Sequence, residues 1–321
     1  MKGADIRATL TSMLSGEMDT ADIAATLIQI ETEGVGAEQL AAGAAVMREH
    51  MTRVSVPDNA IDIVGTGGTG LKLLSISTAT AIVVAGAGIP VAKHGNRGAS
   101  SPTGTADTLS ELGVNITMTP DRAAAAVSEV GMGFLFAPTY HPAMRHVGSA
   151  RKQVGKRTIF NRLGPLCNPA SVKYMLLGSA EAHLVRPMAE ALKANGVISA
   201  MVVHGDDGMD EITTTNVTDV AELNRNDITE FELTPETFNL DRVSLQALSG
   251  GAPAVNSAAL SRLLEGELSA YRDIVCFNAG AALKITGKVD DIAAGIVLAS
   301  DSLDSGKAKS VLSRLAEFSH G

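Results

Sequence analysis

Apolar residues recur at three- to four-residue spacing through the first fifty positions: Ile6, Leu10, Met13 and Leu14, then Ile23, Ala24, Leu27 and Ile28, then a run over residues 37–51. That spacing predicts three short helices, with Thr20 placed to cap the second. Near Pro57 the pattern changes. Residues 60–64 form a short run rich in β-branched side chains that ends in glycine, as a buried parallel strand does. Residues 75–87 predict a helix with Ser77 and Thr78 in its first turn and Gly88 as its stop. A second strand is expected at 89–92 and a polar loop at 93–105. A helix at 104–112, a third strand at 114–117, a helix at 120–130 and a short strand at 134–136 follow.

This alternation indicates an α/β protein in which helices flank a mostly parallel sheet. It is interrupted at residues 141–163, which are basic and helical in character and close on GPLCNPA, a turn or linker. The βαβ rhythm resumes with strands at 174–178 and 199–203 around a helix at 183–195. Residues 219–233 alternate as antiparallel strands do, 253–264 and 269–286 read as buried helices, and the end is helical.

Composition narrows the function. A length of 321 residues allows one large or two modest domains with a substantial core. The formal net charge of −9 and 3% aromatic content argue against nucleic acid as a partner, although Arg145, Arg151, Lys152, Lys156, Arg157 and Arg162 make a local basic cluster. Apolar stretches stop short of a membrane span, and the N-terminus lacks a signal-peptide pattern, which predicts a cytoplasmic protein without a membrane partner. Cys167 and Cys276 show neither disulfide nor metal-ligand spacing and read as inert reduced thiols.

Three loops carry candidate chemistry. Gly65, Gly67, Gly68 and Gly70 fall in a strand-to-helix turn, where positive φ values bring backbone N–H groups close to an anion. By itself such a turn is as consistent with a plain tight turn as with a phosphate site; the hydroxyls of Ser75, Ser77 and Thr78 shift the balance toward phosphate or metal. Lys93-His94-Gly95-Asn96-Arg97 opens at the same sheet edge, where Lys93 and Arg97 can neutralise phosphate and His94 and Asn96 can hydrogen-bond a second substrate. Ser100, Ser101, Thr103 and Thr105 add donors. The third loop, Val203-His204-Gly205-Asp206-Asp207-Gly208-Met209-Asp210-Glu211, puts four carboxylates past a strand. On an extended backbone Asp210 and Glu211 would diverge, which suits two Mg²⁺ ions; a solvated acidic turn fits equally well.

Together these segments resemble the anthranilate phosphoribosyltransferases. The resemblance rests on GTGG at 65–68, SIST at 75–78, KHGNR at 93–97, GTAD at 104–107, FLFAPTYHPAM at 134–144, GKRTIFNRLGPLCNPA at 155–170 and VHGDDGMDE at 203–211, in order along most of the chain. It implies a small helical domain of residues 1–57 with 141–165 and a large α/β domain of 58–140 with 166–321. It also implies a homodimer through the helical domains. The implied substrates are phosphoribosyl pyrophosphate and anthranilate, with Mg²⁺ as cofactor and a place in tryptophan biosynthesis.

Carried over by motif, Gly65, Gly68, Thr69, Ser75, Ser77, Thr78, Lys93, Ser101 and Thr105 would hold the donor. Ser77, Asp210 and Glu211 would serve the metal. Gly65, Asn96 and Arg151 would contact anthranilate, His94 would line its approach, and Lys93 and Arg151 would act in catalysis. The chain departs from the family pattern GTGGDG-xx-TFNIST in its first loop, with Thr69 for Asp, Leu73 for Thr, Leu74 for Phe and Ser75 for Asn. Lys72 adds a charge there that either replaces a metal's neutralising role or faces solvent. A paralogue with another aromatic acceptor, a phosphorylase of related fold and a non-catalytic binding protein are the competing readings.

Overall fold

The computed structural model describes residues 1–98 and 102–321. Its first three helices are α1 (Gly3–Ser15), α2 (Thr20–Glu33) and α3 (Ala37–Glu49). Ile6, Leu10, Met13 and Leu14 form the buried stripe of α1, which packs against α3. Two details differ from expectation. Asp19 rather than Thr20 caps α2, its carboxylate accepting from the Asp22 N–H at 2.9 Å, because Asp19 is the last residue with extended backbone. Ile28 is 53% exposed, and Ile30 takes the buried place on that helix.

The sheet is built from β1 (Ile61–Gly65), β2 (Val91–Gly95), β3 (Met132–Phe136), β4 (Tyr174–Gly178), β5 (Ser199–Gly205), β6 (Thr218–Asn224) and β7 (Asp227–Leu233). Their order is β3-β2-β1-β4-β5-β6-β7, parallel as far as β5 and antiparallel beyond it. Between β1 and β2 runs α4 (Ile76–Gly86); α5 (Thr105–Glu111) and α6 (Pro120–Glu129) lead to β3. Then come α7 (Ala137–Tyr140), α8 (Gly148–Val154) and α9 (Ile159–Leu163), so the basic stretch is a series of short helices. A further helix, α10 (Val185–Ala194), joins β4 to β5, and α11 (Pro253–Leu264), α12 (Ala270–Ile285), α13 (Ile292–Asp304) and α14 (Lys307–Phe318) close the chain. Of these, α4 packs on β1 and β2, α12 on β4 and β5, and α10 on β5 and β6.

Two sequence expectations fail here. The second strand is Val91–Gly95, not 89–92, because Lys93 and His94 are buried inside the ladder with β3 rather than lying in the loop. Residues 114–117 form a turn, not a third strand. The N–H groups of Val114, Asn115 and Thr117 are instead taken by the Leu109 carbonyl, by Ser319 Oγ at 2.8 Å and by the Asn115 side chain at 3.1 Å, so they are not offered to a strand partner.

The strand order reverses around β1: β2 and β3 lie on one side, β4 and β5 on the other. Parallel strands end at the same edge, so a crevice opens beyond the carboxyl ends of β1, β2 and β4. All three end in glycine, Gly65, Gly95 and Gly178, and Gly65 pairs directly with Gly178.

Candidate active site

A cleft of about 620 Å³ opens at that crevice. It is lined by Gly65, Gly68, Thr69, Ser75, Ser77 and Thr78 from the first loop and by Lys93, His94, Asn96 and Thr105 from the second. Arg151, Asp210 and Glu211 complete the lining. Every residue carried over by motif from the sequence therefore lines one space, except Ser101, which with Ser100 lies outside the described residues; Gly70, Asp206 and Asp207 do not line it. Lys72 is exposed and stands apart from the cleft, so it faces solvent.

Lys93 lies almost wholly inside the protein, with 1% exposure, and its ammonium reaches the Ile63 carbonyl and, at 3.4 Å, Ser77 Oγ. The charge is balanced from below by Asp62, a fully buried carboxylate on β1. Asp62 accepts the His94 N–H at 3.1 Å and the Asn168 amide at 2.8 Å, and Asn168 also donates to the Ala92 carbonyl at 2.8 Å. Burial pushes Asp62 up to about 6 and Lys93 down to about 8, each shift being opposed by the attraction of the other. One buried carboxylate thus fixes both the register of β2's end and the charge of its lysine.

The acidic loop bends at residues 210–211 instead of running extended, and the two carboxyls lie close enough that each shifts the other's pKa. The Gly67 N–H donates to Asp210 Oδ2 at 2.7 Å. Room for Asp210 comes from the two paired glycines: a Cβ on Gly65 would collide with its carboxylate, and one on Gly178 with its carbonyl. Burial raises the pKa of both acids, and Asp210 raises Glu211 further. Glu211 Oε2 is buried without a hydrogen-bond partner. Two crowded carboxyls with an orphaned oxygen are a donor set short of a cation. Among the described residues no group of three or more His, Cys, Asp or Glu surrounds one point, so a metal here would rely on substrate phosphates and water for its remaining ligands, as Mg²⁺ commonly does. Asp207 does not share in this. It accepts from Thr213 Oγ1 at 2.6 Å and from the Met209 N–H at 2.9 Å, which makes it a turn former.

At the other end of the cleft Arg151, on α8, lies 5.8 Å over the Phe160 ring and donates to Asn161 Oδ1 at 3.4 Å, leaving most of its fork unused. Burial holds its pKa below the ordinary guanidinium value. His94 faces His141 with ring centroids 5.2 Å apart. Burial depresses both, to about 3 and about 4, so both rings are neutral near pH 7. Among the described residues, His94 Nε2 and both His141 nitrogens make no hydrogen bond, which leaves them able to meet a polar ligand. Arg157 bonds the Gly67 carbonyl at 2.8 Å, clamping the glycine turn from the segment between α8 and α9. Gly68, at φ +75°, lies so near that a Cβ there would be 2.9 Å from the guanidinium carbon.

Reading the sequence alone passes over Asp62, His141, Arg157, Asn168, Gly178 and Asn256. Some signal exists for five of them: Asp62 is the lone carboxylate in an apolar run, Gly178 ends its strand as Gly65 does, His141 stands within FLFAPTYHPAM, and Arg157 and Asn168 stand within GKRTIFNRLGPLCNPA. Asn256 carries none, because the groups it donates to, on Leu73 and Ser75, come from a distant segment.

The hydroxyl and cation spacing has counterparts in known proteins. Residues 57–309 match the model of the glycosyl transferase family, a/b domain. Over 321 residues, covering 100% of this chain and 94% of the relative, the sequence is 51% identical to the anthranilate phosphoribosyltransferase of Parvibaculum lavamentivorans. The crystal structure of the enzyme of that name from Thermus thermophilus superimposes with a TM-score of 0.94 at 40% identity, over 100% of this chain and 96% of that one. A Saccharomyces cerevisiae anthranilate phosphoribosyltransferase in complex with PRPP and Mg gives a TM-score of 0.91 at 26% identity, over 99% and 93% of the two chains. The chain belongs to the anthranilate phosphoribosyltransferase family.

Proposed function

We infer that this protein transfers the phosphoribosyl group of phosphoribosyl pyrophosphate to the amine of anthranilate, giving N-(5-phosphoribosyl)anthranilate and pyrophosphate in tryptophan biosynthesis. One observation carries the reading. A single cleft joins a polyanion end, made of the glycine turn, Lys93 and the open start of α4, to a carboxylate-and-aromatic end made of Arg151 and the neutral His94–His141 pair.

In the reaction the bond from the anomeric carbon to pyrophosphate breaks, with its electron pair leaving on the pyrophosphate, a bond from the amine nitrogen forms, and that nitrogen gives up one proton to solvent or to the pyrophosphate. Lys93 and the backbone N–H groups of Ser77 and Thr78 stabilise the departing charge. Mg²⁺, held by Ser77, Asp210 and Glu211, supplies further neutralisation of that charge when bound. Arg151 offers two parallel N–H groups to the anthranilate carboxylate, and Asn96 and Gly65 fix the ring's approach. The aromatic amine is already uncharged near neutral pH, so His94 and His141 need only receive it, and positioning supplies much of the rate. Thr69, whose hydroxyl accepts the Leu71 N–H at 3.2 Å, shapes the turn where relatives of the pattern quoted above have a carboxylate.

The division into residues 1–57 with 141–165 and 58–140 with 166–321 belongs to the same proposal. It is supported by the packing of α2 on α8 and α9, and of α3 on α9. A homodimer through the helical part would cover Ile28, and a cytoplasmic setting is consistent with the absence, among the described residues, of any helix long and apolar enough to cross a membrane. The test is direct. Purified protein with both substrates and Mg²⁺ should form phosphoribosylanthranilate and pyrophosphate; no metal-dependent product at saturating substrates would sink the assignment.

A further inference from the structure

Three chain segments meet beside the start of α4, and one amide joins them. Asn256, in the first turn of α11 and 1% exposed, lines the cleft. Its Oδ1 accepts the Gly251 N–H at 2.9 Å, and its Nδ2 donates to the Leu73 carbonyl at 3.1 Å and to Ser75 Oγ at 3.1 Å. The Ser75 hydroxyl in turn lies 2.7 Å from Thr108 Oγ1 on α5. Backbone bonds follow the same seam: the Leu74 N–H to the Leu248 carbonyl at 3.0 Å and the Gly250 N–H to the Lys72 carbonyl at 2.8 Å. A Cβ on Gly250 would collide with the Leu73 carbonyl, so the two loops are as close as backbones come.

The consequence concerns Ser75. It stands at the cap position of α4 yet makes no cap hydrogen bond, because its hydroxyl is engaged by Asn256 and Thr108. Ile76 N–H and Ala79 N–H are paired with the carbonyls of Leu74 and Ser75. The N–H groups of Ser77 and Thr78, which have no partner within a helix at this position, therefore remain for a ligand in the cleft.

We propose that Asn256 is a positioning residue for the phosphoribosyl donor: its amide holds the Leu73–Ser75 segment and draws the Ser75 hydroxyl away from the helix cap, which keeps the start of α4 open to phosphate. The proposal rests on the donor reading above. It explains how a chain whose first loop departs from the family pattern at 73, 74 and 75 keeps that loop in place. The backbone of Lys72, Leu73 and Leu74 and the hydroxyl of Ser75 are braced from α11, the segment before it and α5.

Michaelis constants for both substrates, measured on wild type, Asn256→Ala, Ser75→Ala and the double variant, decide the matter. Asn256→Ala should raise the donor KM about tenfold, the effect of leaving buried polar groups unpaired, with the anthranilate KM within about twofold. Ser75→Ala should act in the same direction, and the double variant should be no worse than Asn256→Ala alone, because both changes break one linkage. An unchanged donor KM in Asn256→Ala, donor and acceptor constants rising together, or additive losses in the double variant would overturn the proposal. If Asn256→Ala does not fold, Thr108→Val, which removes the other partner of the Ser75 hydroxyl from outside the cleft lining, decides: a selective rise in donor KM supports the linkage and an unchanged one overturns it. A wild type that forms no product overturns the functional reading itself; an active wild type with the negative results above overturns only this one.

Discussion

Residue chemistry in this cleft is set by burial more than by exposed charge. Arg151 is the clearest case, a guanidinium held among Phe160 and Asn161 without a carboxylate partner among the described residues. If it receives the anthranilate carboxylate, Arg151→Ala should raise the anthranilate KM about tenfold or more and leave the donor KM nearly unchanged. Steady-state kinetics with each substrate varied in turn checks this, and equal rises would assign the arginine elsewhere. The two neutral histidines make a second, independent prediction. Folded, they titrate near 3 and 4; unfolded, near about 6.5. Between those limits the unfolded chain binds protons that the fold refuses, so stability falls as pH falls. Asp62, at about 6 in the fold, and Asp210, Glu211 and Asp273, whose pKa values burial also raises, take up protons more readily folded than unfolded and oppose the trend, so the histidines' share is read as a difference between variant and wild type. Relative to wild type, His141→Asn should therefore lose less, or gain more, melting temperature from pH 6.5 to 4.5; identical slopes for variant and wild type would refute the burial argument. In the sequence KHGNR is visible as a functional cluster, whereas its burial is not. A lysine and a histidine read as a loop until Asp62 on β1 and Asn168 ahead of β4 are seen to anchor the strand that carries them.

Elements explain why legibility stopped where it did. β4 and α11 match their sequence patterns residue for residue, since apolar runs bounded by glycine or proline carry their own limits. Residues 114–117 have the composition of a strand but not its partner: Asn115 is tied to Ser319 after α14, a contact between distant parts of the chain. The edge between β1 and β4 was equally hidden. Gly178 is visible as a strand end but not as the neighbour of Gly65, and that pairing lets the Asp210 backbone lie against the strand ends. Gly178→Ala forces that backbone away, because the added methyl meets a carbonyl rather than a flexible side chain. The expected cost is about 1–3 kcal/mol of stability, as for other overpacked sites, together with a greater Mg²⁺ requirement. Urea unfolding and a Mg²⁺ titration of activity check the two parts. Normal metal dependence in a folded variant would show that Asp210 does not need its place.

The whole molecule joins its N-terminal helices to the sheet edge through Arg162. This guanidinium, 11% exposed, donates from Nη1 to Glu31 on α2 at 2.6 Å and from Nε to Glu181 past β4 at 2.8 Å. Nη2 makes a second bond to Glu181 at 2.9 Å. The neighbouring Ala180 N–H donates to Thr66 Oγ1 at 3.0 Å, so the linkage runs from a helix of the first fifty residues to the glycine turn of the cleft. Removing one member of a buried pair usually costs about 3–5 kcal/mol, because the charge left behind is stranded. Here Glu31 and Glu181 side chains are 24% and 22% exposed, and water can recover part of that loss. Arg162→Met should accordingly destabilise by about 2 kcal/mol at neutral pH. Adding Glu31→Gln and Glu181→Gln should return much of it, since no unpaired carboxylate then remains. Urea unfolding of the single and triple variants separates a charge effect from lost packing. Recovery in the triple variant establishes that Arg162 stabilises by holding two carboxylates together, and equal destabilisation in both would mean that the arginine serves only to fill space between α2 and the sheet.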